Sequence, residues 1–257
     1  MRNLFVICGG VRTFLDCIDN IYDNVISQLF DKNDEIYIYF YLKLTDPGPR
    51  YIVGFNYAYT DLEQDKVLNK INEFNKRDPK MTIYHKILKN SEINDEELMR
   101  QVKDRSRYVN YMLLDNILLR GLHFFYNFEC CGKYILELEK EKGFMFDNIV
   151  YSRPDLYFTE KCKSINEYVS DRVVLGTGIN SYSNDQIAII PRKYLKHFFF
   201  DRMELFRTNT RFYCESNENV YWQTIPFVVE DIGKYQIKRE KVFPYTTEDV
   251  GKPLATL

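Results

Sequence analysis

The stretch Asn3-Leu4-Phe5-Val6-Ile7-Cys8-Gly9-Gly10-Val11-Arg12-Thr13-Phe14 decides the fold. Residues 3–8 read as an apolar run ended by two glycines, the pattern of a central strand covered on both faces. From Arg12 onward, Leu15, Ile18, Tyr22, Val25, Ile26 and Leu29 recur at helical spacing. A strand, a tight loop and a helix in that order open a βα unit.

The same alternation continues outward. Residues 35–42 are β-branched and aromatic and predict a second strand, broken by Asp46-Pro47-Gly48-Pro49. The pattern predicts a helix over 61–75, a strand over 81–87 and a charged helix over 94–102. A long helix follows over 108–141, interrupted near Gly121 and Gly132. Further strands are expected at 148–152, 173–175, 186–190, 226–229 and 236–242, with helices over 192–206 and 218–225. Strands alternating with helices argue for parallel pairing through right-handed crossovers. The expected fold class is α/β: a Rossmann-like, mixed, mainly parallel sheet flanked by helices. No repeat, linker or composition break divides the chain, so residues 1–257 read as a single domain.

Bulk properties exclude several function classes. The 257 residues are 45% hydrophobic and 16% aromatic, enough for a sizeable core. Many of the 21 Tyr residues are expected to pack, and some to line a wet cleft. A net charge of −2 without a basic run leaves no footprint for nucleic acid. No stretch approaches the roughly 18 apolar residues of a membrane span, and a cytoplasmic location is expected. Cys8, Cys17, Cys130, Cys131, Cys162 and Cys214 form no CxxC pair, so reduced thiols are expected. His85, His123 and His197 show no spacing that would hold a metal on one helix face.

Four places carry candidate chemistry. The first is Gly9-Gly10-Val11-Arg12-Thr13, beyond the carboxyl end of the first strand, where open α/β sheets bind ligands. Glycines there permit close backbone approach, the helix start offers N–H groups to phosphate, and Arg12 supplies a forked cation. The segment lacks GxGxxG and GxxxxGK[ST], which removes support from nicotinamide-cofactor and P-loop readings. A plain glycine turn with a surface arginine explains it equally well. The second place is the corner Arg153-Pro154-Asp155. Proline stiffens the turn, and Asp155 could hold a divalent cation that bridges a diphosphate, or accept from a sugar hydroxyl. A structural Arg153–Asp155 bridge is the alternative. The third is Asn184-Asp185, suited to sugar hydroxyls or simply to turn formation. The fourth holds Glu215 and Glu218, each a candidate base for an acceptor hydroxyl or a capping or solvated acid.

Taken together, these places resemble a loose family of GT-A-like glycosyltransferases with members in large DNA viruses, bacteria and plants. The resemblance rests on Gly10-Val11-Arg12-Thr13-Phe14, on residues 146–156 with Arg153-Pro154-Asp155, on Asn184-Asp185 before a strand, and on the segment around Glu215 and Glu218. It implies a GT-A-like fold and transfer of a hexosyl or pentosyl group from a nucleoside diphosphate sugar, UDP favoured over GDP. The implied acceptor is a hydroxyl of a glycan or glycoprotein, and a viral member would work in the host cytoplasm. By the same resemblance residues 1–158 form the nucleotide-sugar half and residues 159–257 the acceptor half. Gly9 to Thr13, Arg153, Asp155 and Asn184 would then bind the donor, Asp185 would lie near the transferred sugar, and Glu215 or Glu218 would serve as the base. Asp155 would stand where related enzymes carry the metal-binding Asp-x-Asp for Mn2+ or Mg2+. This chain departs from that pattern: Arg153 replaces the first acid, and no Asp-x-Asp occurs anywhere in it. The arginine could neutralise the diphosphate in place of a cation. Two other readings stay open: a non-catalytic carbohydrate-binding protein on a degenerate GT-A scaffold, and a metal-dependent nuclease using Asp155 with the Glu160-Lys161-Cys162-Lys163 segment.

Overall fold

The structure, a computed structural model, describes residues 1–31, 33–44, 48–52, 55–59, 64–89, 92–103, 115–168, 171–178, 186–208, 228–237 and 241–242. The opening run forms strand β1 (Arg2–Gly10), followed by helix α1 (Phe14–Ile21), a π-helical turn (Tyr22–Ile26) and a last turn α2 (Ser27–Leu29). Strand β2 (Glu35–Lys43), a hairpin of β3 (Gly48–Ile52) and β4 (Phe55–Tyr59), helix α3 (Gln64–Asn75) and strand β5 (Met81–Leu88) come next. Helices α4 (Asp95–Arg100) and α5 (Asp115–Lys142) lead to β6 (Asn148–Ser152) and β7 (Leu156–Phe158). The chain continues with β8 (Val173–Gly178), β9 (Ile187–Pro191), α6 (Leu195–Phe199), α7 (Asp201–Thr208), β10 (Val228–Ile237) and β11 (Lys241–Val242).

Eight strands form the main sheet in the order β5-β2-β1-β6-β9-β8-β10-β7, and β11-β4-β3 form a small second sheet. β5, β2, β1 and β6 run parallel; β9 is antiparallel to both β6 and β8; β10 is parallel to β8 and antiparallel to β7. Six of the eight strands therefore share one direction. This is the α/β architecture, a mixed and mainly parallel sheet flanked by helices, that the sequence predicts. Among the described residues no helix is long and apolar enough to cross a membrane.

Alternation along β1 divides the core. Phe5 and Ile7 face α1 and α3, packing with Phe14, Ile18, Ile71 and Phe74. Leu4, Val6 and Cys8 face α5 and α6, packing with Phe128, Cys131, Ile135 and Phe198. The strand is buried on both sides, which is why it reads as an uninterrupted apolar run. On the α5 side, the fully buried Arg202 of α7 sets its guanidinium 4.7 Å from the Phe128 ring and 4.6 Å from the Phe198 ring. Such cation–π contacts join α7 to both helices.

Several elements differ from the sequence expectation. α5 runs unbroken through Gly121 and Gly132. Gly132 is there for space: a Cβ on it would lie 2.6 Å from the Phe200 ring and 2.7 Å from Phe199 Cβ. The single helix expected over 192–206 is a 3-10 turn (Arg192–Tyr194) and two helices parted at Phe200. Phe198 and Phe199 both enter the core there, while Phe200 leans on Gly132. The two strands expected at 226–229 and 236–242 are instead one strand, β10, whose register shifts twice between Glu230 and Lys234, and the separate β11. The bulges carry the polar stretch through without ending the strand. β3 and β4 fall where only a chain break is expected. β3 is at the edge of its sheet, a position that tolerates Pro49. The helix expected over 218–225 lies outside the described residues.

Replacing Gly132 with Ala adds a methyl where the Phe200 ring and the Phe199 Cβ already sit, and overpacking of this kind costs about 1 to 3 kcal/mol. The Gly132→Ala variant is expected to unfold at lower denaturant with an unchanged m-value, measured by chemical denaturation.

Candidate functional site

The two arginine-bearing segments leave neighbouring strands at the same sheet edge. β1 and β6 are parallel partners, with Ile7 opposite Ser152, so Gly9-Gly10 and the corner 153–155 emerge side by side. α1 departs from β1 on one face of the sheet and α5 feeds β6 from the other. Both segments leave the carboxyl end of the sheet toward the α1 face, where Leu156 and Phe158 pack with Phe14 and Ile18; the carboxyl ends of strands are the usual ligand position in open α/β sheets.

Backbone constraints shape this edge. Gly9 adopts φ +146°, and a Cβ on it would lie 3.0 Å from Pro154 Cδ. Gly9 therefore makes room for the proline of the other segment. Val11 N–H donates to the Lys43 carbonyl at 2.9 Å, tying the turn to β2. Arg12 has φ +31°, the left-handed region that a non-glycine residue occupies only at a cost of about 1 to 3 kcal/mol. Thr13 is buried at the start of α1, and its carbonyl accepts from the amides of Asp16 at 3.0 Å and Cys17 at 3.1 Å. The Phe14 amide bonds to the Val11 carbonyl. These three amides of the helix start are thus engaged within the chain.

The strain at Arg12 is held by its side chain. Arg12 Nη1 donates to Asp155 Oδ2 at 2.9 Å. Arg153 Nε donates to Asp155 Oδ1 at 2.9 Å, and its Nη2 to Oδ2 at 2.7 Å. Asp155 is 1% exposed, whereas the Arg12 and Arg153 side chains keep 33% and 19% of their surface. Burial pushes the Asp155 carboxyl up, but the two guanidinium charges and their hydrogen bonds outweigh it and bring it down to about 2. One carboxylate thus holds two guanidinium groups, each with part of its side chain at the surface. The Arg153 amide also donates to the Gln186 carbonyl at 2.9 Å, which ties the corner to the segment entering β9.

The structure thus brings Gly9, Gly10, Val11, Arg12 and Thr13 together with Arg153 and Asp155. Asn184, Asp185, Glu215 and Glu218 lie outside the described residues. A divalent cation does not fit at Asp155. Both carboxylate oxygens already accept from guanidinium groups, and a bound ion would face two positive charges at hydrogen-bond range. Among the described residues no group of three or more His, Cys, Asp and Glu side chains comes together to hold a metal ion.

Sequence reasoning missed a second polar group at this edge. Lys43, the last residue of β2, brings its Nζ to 2.8 Å from His123 Nδ1, and His123 Nε2 lies 2.6 Å from Asp95 Oδ1. The three residues are separated by 80 and 28 positions, so no local spacing announces them.

No family model matches the chain, and no curated protein sequence matches it. Among solved structures, the galactosyltransferase LgtC in complex with donor and acceptor sugar analogues is similar at 9% identity, with a TM-score of 0.41 over 90% of this chain and 73% of LgtC. An active-site mutant of LgtC gives 10% identity and a TM-score of 0.42, over 90% of this chain and 72% of the mutant. Mouse xyloside xylosyltransferase 1 gives 8% identity and a TM-score of 0.34, over 68% of this chain and 53% of that protein.

Removing the Asp155 charge takes away the buried carboxylate that both guanidinium groups share. Breaking a buried ion pair from one side costs about 3 to 5 kcal/mol, so Asp155→Asn is expected to be strongly destabilised. The carboxyl moves from an ordinary 3.8 when unfolded to about 2 when folded. Its contribution, about 2 kcal/mol, is complete above pH ~4 and fades as the pH falls from ~4 toward 2. Urea melts between pH 6 and 2 should show that loss in the wild type and a flatter profile in Asp155→Asn.

Proposed function

We propose that the chain is a GT-A-like glycosyltransferase that moves a hexosyl or pentosyl group from a nucleoside diphosphate sugar, UDP favoured over GDP, to a hydroxyl of a glycan or glycoprotein in the cytoplasm. The observation that carries this reading is the Arg12–Asp155–Arg153 cluster at the carboxyl ends of β1 and β6. In glycosyl transfer the bond from the sugar C1 to the diphosphate oxygen breaks while the acceptor oxygen bonds to C1. The electron pair leaves with the diphosphate, and the acceptor proton goes to a base. Charge therefore develops on the leaving group, and preorganised cations stabilise it where it forms. Arg12 and Arg153 are held in place by Asp155, so they need little reorganisation as that charge grows.

Residues 1–158 take the donor role and residues 159–257 the acceptor role in this reading. Asn184 and Asp185, directly before Gln186 in the chain, act on the transferred sugar; Glu215 or Glu218 takes the acceptor proton. A divalent cation, when bound, would add charge neutralisation at the diphosphate, and its ligands would have to be groups other than Asp155.

The full engagement of Asp155 favours one second reading, a non-catalytic carbohydrate-binding protein on the same scaffold. Slow donor hydrolysis without acceptor separates the two, because only a working site cleaves the sugar–phosphate bond. The nuclease reading loses support, since it needed a cation at Asp155.

Titration with UDP, GDP and their sugars, with and without manganese, tests the proposal. Wild-type protein is expected to bind UDP more tightly than uridine. Arg12→Ala and Arg153→Ala are each expected to weaken UDP binding by about tenfold or more, the scale of a charge-assisted hydrogen bond. Absence of binding to every nucleotide at millimolar concentration would sink the reading.

A further inference from the structure

Arg12 stands just ahead of α1, and Asp155 just ahead of β7. The Arg12–Asp155 ion pair joins these two elements at their leading ends. A second tie joins them further along. Asn20, in the last turn of α1, donates from Nδ2 to the Phe158 carbonyl at 3.0 Å and accepts from the Phe158 N–H at 2.6 Å through Oδ1. Between the two ties, Phe14 and Ile18 of α1 pack with Leu156 and Phe158 of β7. Ion pair, helix, amide bracket and strand thus form a closed ring.

The residue type suits the bracket. β7 is the last strand in the order of the main sheet. An outermost strand turns part of its backbone away from its neighbour, and at Phe158 both the N–H and the C=O meet one side chain. A side-chain amide carries a donor and an acceptor on one rigid plane, as the peptide group of a further strand would. An aspartate in its place would set an acceptor against the Phe158 carbonyl, and a leucine would offer neither group.

The ring bears on the backbone of Arg12, whose φ is +31°. A strained residue keeps such a conformation only where its surroundings over-determine it. The bond from Arg12 to Asp155 is one constraint. The Asn20 bracket supplies another, because it fixes where Asp155 stands relative to the start of α1. Opening the ring at Asn20 lets α1 and β7 part and Arg12 relax. We infer that Asn20 is a positioning residue of the donor site, which closes the ring between α1 and β7 and so holds Arg12 in the conformation that shares Asp155 Oδ2 with Arg153. The inference rests on the donor-site reading above. Asn20 touches no phosphate; it acts through Arg12.

Titration of the wild type, Asn20→Ala, Arg12→Ala and the double variant with UDP tests it. Asn20→Ala is expected to weaken UDP binding by about fivefold in the wild-type background, because the cation must be ordered again on binding, and by less than about twofold once Arg12 is gone. A residue that merely supported the fold would cost the same factor in both backgrounds. Amide hydrogen exchange gives a second reading on the wild type alone. A ligand that needs the ring closed suppresses its opening, so UDP is expected to slow exchange at Phe158 by a larger factor than at Met81, on the opposite edge of the sheet. Should Asn20→Ala fold poorly, that measurement decides. Unchanged UDP affinity in a folded Asn20→Ala variant, equal losses in both backgrounds, or exchange at Phe158 slowed no more than at Met81 overturns the role of Asn20 and leaves the donor site standing. A wild type that binds no UDP overturns the donor reading and this role with it.

Discussion

The carboxylate of Asp155, buried between two guanidinium groups, is the constraint on which the sheet edge depends. It fastens the turn after β1 to the corner after β6, segments 143 residues apart in sequence. Its hydrogen bonds hold Arg12 in a left-handed backbone conformation that the residue would otherwise leave. They also keep Pro154 seated against Gly9, where only a glycine leaves room. A buried charge pair of this kind adds little net stability compared with apolar packing, because desolvation offsets the attraction. Its value lies in the fixed placement of two cations that retain a solvent-facing side.

Placement extends beyond those three residues. The π-helical turn after α1 leaves the Asn24 carbonyl to accept from Cys162 N–H at 2.8 Å. One turn earlier, Asn20 brackets Phe158 of β7, donating to its carbonyl at 3.0 Å and accepting from its amide. The segment that follows Asp155 is thereby held along α1, so the corner cannot swing out without breaking backbone hydrogen bonds. Rigid surroundings of this sort make a charged edge useful for binding, because little ordering is left to be done when a ligand arrives.

Much of this was legible in the sequence. β1, β2, β5 and β6 are covered on both faces or flanked by clear turn signals, and their runs of Val, Ile, Phe and Tyr announce them. Arg12, Arg153 and Asp155 could be singled out because they directly follow such strands. Less legible were features set by tertiary contact. Gly132 reads as a helix breaker, yet it exists to admit the Phe199-Phe200 pair from another helix. β7 has three residues and, among the described residues, pairs only with β10, some 80 positions later. The pairing of Lys43 with His123 and Asp95 depends on how α4 and α5 fold back over β2, which no local pattern encodes. The sequence also leaves open whether Asp155 faces an ion or two arginines; only the side-chain geometry decides it.

The central strand has a consequence for how the molecule is made. β1 is made well before its partner β6, whose Asn148 lies 145 residues downstream of Asn3. At translation speeds of about 5 to 20 residues per second, its most apolar segment waits roughly 7 to 30 seconds for that neighbour. In the interval β1 can dock on β2, α1 and α3, but one edge stays open to stray pairing until β6 has cleared the exit tunnel.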